Sequence, residues 1–151
     1  MNEQQAQLAA TAEALNSGAI HLLRGLRDVD RLSGLTPARL SALSVLVFGK
    51  VDTVGALARA EGVSGPTMTR IVDGLVFAGL AVRRTHRTDR RAVEVVATRR
   101  GVRLMHRARQ RRVRAIVGAL EQLTEAQCKR LISAAPLLDA TAAAVRAPSG
   151  R

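Results

Sequence analysis

Residues 53–75 read TVGALARAEGVSGPTMTRIVDGL, and their spacing decides the fold. Thr53 and Ser64 each stand just before a helix-like run, where a side-chain oxygen accepts from the free N–H groups of the first turn. Gly62 and Val63 separate the two runs. In the second run Met68, Ile71, Val72 and Leu75 recur three and four residues apart and form one apolar stripe. Ala58, four residues before Gly62, lets the two helices cross closely, so the segment reads as a helix-turn-helix. Pro66, Thr67, Thr69, Arg70, Asp73 and Gly74 fall away from the stripe. Small hydroxyls and an arginine near a helix N-terminus suit the major groove of duplex DNA, where base edges and phosphates are within reach. The same spacing also fits an ordinary helical hairpin with a solvated polar face.

The residues after this segment favour the first reading. Gly79 ends the second helix, and residues 81–85 and 92–97, rich in Val, Thr and Arg, read as two short strands. The loop between them holds Arg87, Arg90 and Arg91 around Asp89. A basic hairpin directly after a helix-turn-helix is a wing, and narrow minor grooves concentrate the negative potential that attracts inserted arginine. Each of these arginines, taken singly, is also accounted for by a phosphate contact or by solvation.

Charge points the same way. From Arg83 to Arg114 thirteen arginines face only Asp89 and Glu94, a net +11, while eleven basic and ten acidic groups nearly cancel in the rest of the chain. Arg supplies all the basic residues except Lys50 and Lys129, and its planar fork suits phosphate and guanine better than an ammonium does. A formal charge of +12 makes polyanions the expected partners, nucleic acid before an anionic membrane. Phe48 and Phe77 are the only aromatics, which counts against single-strand binders and aromatic cages that rely on stacking.

At 151 residues and 16.1 kDa the chain is one domain's worth of sequence, and a mean hydropathy of +0.05 without low-complexity tracts describes a soluble globular protein. The single Cys128 forms no internal disulfide, the first residues lack a signal peptide's basic start and apolar run, and no stretch is apolar enough to span a membrane, so a cytoplasmic location is expected. Cys128 opens a helix beside Lys129 and Arg130, which could lower its pKa for redox sensing. Packing with Leu123 as a hydrophobic staple after the Thr124–Gln127 capping box explains it more simply.

The ends of the chain read as helices. Leu8, Ala12, Leu15, Ala19, Leu22, Leu26 and Val29 alternate spacings of four and three, the repeat of a helix that packs lengthwise on another, though Gly18 and Gly25 weaken it. Thr36-Pro37 starts a second helix that ends at Gly49. From Thr98 a long helix carries arginines first and Val113, Ile116, Val117 and Leu120 later. Pro136 is expected to kink or break the last helix before Leu137.

Together these residues resemble the MarR family of winged helix-turn-helix transcription regulators from about residue 35 to residue 123. The resemblance rests on Leu35-Thr36, Leu57-Ala58, Gly79-Leu80 with Arg83-Arg84, and above all Thr88-Asp89-Arg90-Arg91-Ala92 with Thr98 and Gly101 downstream. It implies a mainly α fold with a small β-hairpin wing, a winged helix-turn-helix core flanked by long dimerisation helices. One such domain would span 1–151, with dimerisation helices at 1–32 and 113–147 and the DNA-binding lobe at 50–100. It further implies a homodimer, a small-molecule effector, and a wing in which Arg91 enters the minor groove while Asp89 holds it.

The expected function is a sequence-specific duplex-DNA regulator, a repressor released by an effector; a basic RNA-binding or acidic-partner domain is the alternative. The candidate DNA-binding set is Ser64, Gly65, Pro66, Thr67, Thr69, Arg70, Arg83, Arg84, Arg87, Asp89, Arg90 and Arg91. For an effector site the sequence offers only His21, a weak candidate. No nucleophile stands beside a base and no glycine-rich loop cradles phosphate, so no enzyme and no cofactor are expected. His21, His86 and His106 are not at metal-ligand spacing. Met68 and Met105 read as core filler.

Overall fold

Capping residues set where most of the helices begin. A computed structural model describes residues 2–49, 51–85 and 93–146. It contains α1 (Glu3–Gly25), α2 (Arg27–Arg31), α3 (Pro37–Phe48), α4 (Val54–Glu61), α5 (Gly65–Phe77), β1 (Ala81–Thr85), β2 (Val93–Ala97), α6 (Arg99–Leu120) and α7 (Glu125–Arg146). The hydroxyls of Thr36, Thr53 and Ser64 accept from the N–H groups of Arg39, Ala56 and Thr67 at 3.3–3.4 Å, as the sequence anticipates. Each such cap stabilises its helix by about 1 kcal/mol. Thr124 and Gln127 form the expected reciprocal box at the start of α7, and Asn2 and Gln5 form another at the start of α1.

The turn between α4 and α5 depends on Gly62, whose φ of 63° lies where a Cβ would be strained. With the backbone curled this way, Val63 N–H donates to Ala58 C=O at 3.0 Å and closes the end of α4. Leu43, Leu57, Met68, Val72, Leu75, Leu80 and Val95 are fully buried, so α3, α4, α5 and both strands enclose one core. Met105 and Ala108 extend it along α6. Met68 and Met105 are thus core residues, in agreement with their sequence context.

The strands pair antiparallel with Ala81 opposite Ala97 and Arg84 opposite Glu94. On its other side β2 meets the residues before α4: Val95 N–H donates to Asp52 C=O at 2.6 Å and Thr53 forms a bridge with Glu94. Thr53 therefore both caps α4 and pairs with the hairpin, which fixes the hairpin beside the helix-turn-helix.

Thr98 connects three elements. Its hydroxyl donates to Gly79 C=O at 2.8 Å and accepts from Gly101 N–H at 3.1 Å, while its own N–H donates to Leu80 C=O at 2.9 Å. Gly101 is buried against the Leu80 carbonyl on one side and Leu43 on the other.

At the ends of the chain one expectation is corrected, and of the kink or break expected at Pro136 the break is removed. The first helix does not run unbroken to Val29; it ends at Gly25, one of its two glycines, and restarts as the short α2 after Leu26, whereas Gly18 is carried within α1. Pro136 does not break α7, which continues from Glu125 to Arg146. The proline ring removes one backbone donor, and the flanking turns keep their own bonds. Cys128 is half-buried, with its thiol 3.5 Å from Leu120 C=O.

The chain divides after Arg112, within α6, into two compact units, Met1–Arg112 and Val113–Arg151. No helix among the described residues is long and apolar enough to cross a membrane.

Candidate nucleic-acid interface

Helix α5 buries Met68, Val72 and Leu75 and turns Pro66, Thr67, Thr69, Arg70 and Asp73 to solvent. The hydroxyls near its start are already engaged. Ser64 Oγ accepts from Thr67 N–H and lies 2.9 Å from Thr67 Oγ1, and Thr69 Oγ1 donates to Gly65 C=O at 3.0 Å. These bonds fix the rotamers and leave acceptor lone pairs outward. Arg70 is exposed, and its side chain has no ion pair or hydrogen bond with another described residue, so its fork is free to meet an external acceptor.

The sequence-derived set separates into a braced part and a free part. Arg83, expected to attract phosphate, is joined through Nη1 to Asp73 Oδ1 at 2.6 Å. That pair ties β1 to the exposed face of α5, so the helix and the strand present one surface. Ten residues separate the partners, and nothing in local periodicity announces the pair. Arg84 is exposed on β1 across from Glu94. Arg87, Asp89, Arg90 and Arg91 lie outside the described residues.

Sequence reasoning missed Arg39. It is half-buried on α3, and its guanidinium lies over Gly74 of α5, in the space a side chain at that position would fill. A glycine on the polar row of α5 is the signal that could have drawn attention to a neighbour reaching across.

The basic N-terminal half of α6 is exposed at Arg99, Arg100, Arg103 and Arg107. Nearer its middle, Arg112 joins Asp30 through two bonds of 2.5 Å, and Arg111 donates to Leu32 C=O at 2.9 Å. The hydrogen bonds to Asp30 raise the Arg112 pKa above its ordinary value; burial opposes the rise and the Asp30 charge adds to it. Arg112 is therefore a permanent cation.

Beside this pair a cleft of about 330 Å³ opens between α3 and α6, with Leu40, Ser41, Ser44, Phe48, Met105 and Arg109 among its walls. Arg109 sits 5.4 Å over the Phe48 ring, and His106 meets the same ring edge-on at 5.4 Å. Among the described residues no three His, Cys, Asp or Glu side chains gather as a metal site.

Comparison with known proteins adds independent findings. Residues 33–92 match a family model described as MarR family. The chain is 34% identical over 130 residues to an HTH-type transcriptional regulator of Mycobacterium tuberculosis (strain CDC 1551 / Oshkosh), covering 86% of this chain and 91% of the relative. Its fold is similar to the solved structure of a MarR family protein from Bacillus stearothermophilus, with TM-score 0.77 and 24% identity over 95% of this chain and 99% of that one. It is also similar to a mutant of MepR from Staphylococcus aureus, solved bound to an oligodeoxyribonucleotide, with TM-score 0.65 and 16% identity over 87% of this chain and 96% of that one.

Proposed function

The chain belongs to the MarR family of helix-turn-helix transcriptional regulators, and from this we propose that it is a repressor that binds a two-fold symmetric duplex operator as a homodimer and is released by a small-molecule effector. The observation that carries the reading is the Asp73–Arg83 pair, which holds the wing strand against a reading helix whose Arg70 is unpaired among the described residues. In this reading Thr67 and Arg70 contact base edges. Arg84 and the start of α6 attract phosphates, and Arg91, held by Asp89, enters the minor groove.

Dimerisation is supported by what the helices leave uncovered. Leu8, Leu15, Leu22 and Leu23 on α1 are all exposed, as are Leu131, Ile132, Leu137 and Leu138 on α7, and so much apolar surface marks a protein interface. For the effector, the cleft beside Phe48 offers an apolar wall, the Ser44 hydroxyl and the Arg109 cation, a combination suited to a small anion with an apolar body; the Ser41 hydroxyl is taken by Glu61. Such a ligand would release DNA only to the extent that it binds the non-operator conformation more tightly.

Selection of bound duplexes from a random pool by the purified protein tests the reading. The expected product is an inverted repeat whose half-sites are centred about 10 base pairs apart, one helical turn; enrichment of no motif, or of an unpaired single site, would reject it. In the same assay Arg91→Ala should weaken binding while the circular dichroism spectrum stays unchanged. An Arg91→Ala protein that binds as tightly as the parent removes the minor-groove assignment.

A further inference from the structure

We propose that Arg39 of α3 is a DNA phosphate contact, seated on the reading face of α5 by the absence of a side chain at Gly74. The inference rests on the duplex-binding reading above and adds to it a residue from outside the helix-turn-helix.

Helical register places Arg39 on that face. Thr67, Arg70 and Gly74 are spaced by three and four residues, so they form one row along α5. Thr67 and Arg70 fill the first two places of that row with exposed side chains. At the third place Gly74 has none, and a Cβ built there would collide with Nε, Cζ and Nη2 of Arg39. The guanidinium of a different helix therefore occupies the third place of the row.

Its chemistry fits an external anion. Among the described residues the Arg39 guanidinium has no ion pair and no hydrogen bond; the Thr36 cap engages its backbone N–H and not its side chain. The nearest acid on α5, Asp73, is committed to Arg83 at 2.6 Å. A guanidinium that no described carboxylate neutralises, on a surface that attracts polyanions, is available for one.

Position along the helix selects which part of DNA it meets. The N-terminal residues of a recognition helix reach base edges, and successive turns climb toward the groove rim. Gly74 stands near the C-terminal end of α5, so a cation over it meets the backbone rather than bases. Arg39 should accordingly add affinity without sequence preference, the opposite of Arg70.

The test measures salt-dependent binding of the full chain to two duplexes, one carrying the selected consensus and one of random sequence. Arg39→Gln keeps a polar side chain on α3, shorter and without charge. It is expected to bind both duplexes about three- to tenfold more weakly and to flatten the plot of log K against log salt by about 0.9, the value of one phosphate contact. Arg39→Lys should keep most of the slope, because an ammonium also meets phosphate as a point charge.

Gly74→Ala keeps the arginine but evicts it, and only a flexible side-chain end must move. It should reproduce the Arg39→Gln loss, with no further loss in the double variant. Thermal stability should not fall in Gly74→Ala, since alanine favours helix more than glycine does. If the parent binds both duplexes and Arg39→Gln shows the parent affinity and slope, Arg39 is only a brace between α3 and α5 and the proposal is overturned. If the parent binds neither duplex, the duplex-binding reading itself fails, and this inference with it.

Discussion

Gly101→Ala should lower the melting temperature by roughly 4–8 °C, the consequence of about 2 kcal/mol of net destabilisation, overpacking less the gain in helix propensity, at 2–4 °C per kcal/mol in a chain of this size. A Cβ at this position would meet the Leu80 carbonyl oxygen at a separation real Cβ atoms do not show, with Leu43 Cδ1 on its other side at 3.4 Å. The carbonyl cannot swing aside cheaply. It accepts from Thr98 N–H at 2.9 Å, and the Leu80 N–H is itself bound to Leu75 C=O at 2.9 Å. Alanine's helix propensity offsets at most about 1 kcal/mol of the penalty. Gly118→Ala on the same helix is the control, because nothing lies within 4 Å of a Cβ there. Thermal unfolding followed by circular dichroism decides the matter: equal melting temperatures for the two variants would show that α6 and β1 are not packed as described.

The second large effect concerns recognition. Arg70→Ala should weaken binding to the selected operator by about tenfold to a hundredfold, the cost of losing one well-aligned bidentate base contact. Binding to random duplex should fall far less, so the ratio between the two contracts. Repeating the duplex selection with the variant should show one position per half-site losing its preference while the others keep theirs. Equal losses on both duplexes would reassign Arg70 to the phosphate backbone, and no loss on either would remove it from the interface. Because the side chain is exposed and pairs with no other described residue, its removal leaves no buried group unsatisfied. A fall in affinity can therefore be read as a lost DNA contact.

Local chemistry was legible in the sequence and long-range pairing was not. Thr36, Thr53, Ser64 and Thr124 announce helix starts because a hydroxyl before an apolar-periodic run has one preferred use, and each bonds as expected. Met68, Val72 and Leu75 can be assigned to the core from spacing alone. Asp73–Arg83, Arg112–Asp30 and the seat of Arg39 on Gly74 depend on how separate elements meet, and Arg112 lies 82 residues from its partner.

Two boundaries mislead for opposite reasons. Gly25 interrupts a heptad-like pattern whose periodicity is otherwise intact, so the break is invisible to hydrophobic spacing. Pro136 carries a strong local penalty that a 22-residue helix absorbs. The wing tip rests on Arg87, Asp89, Arg90 and Arg91, and those residues remain assigned by sequence and resemblance.

The hydroxyl of Thr98 links the turn after α5 to the first turn of α6, and its amide holds Leu80 in the same turn, just before β1. A shift of the first turn of α6 would therefore reach the α5–β1 turn directly, through hydrogen bonds of 2.8–3.1 Å.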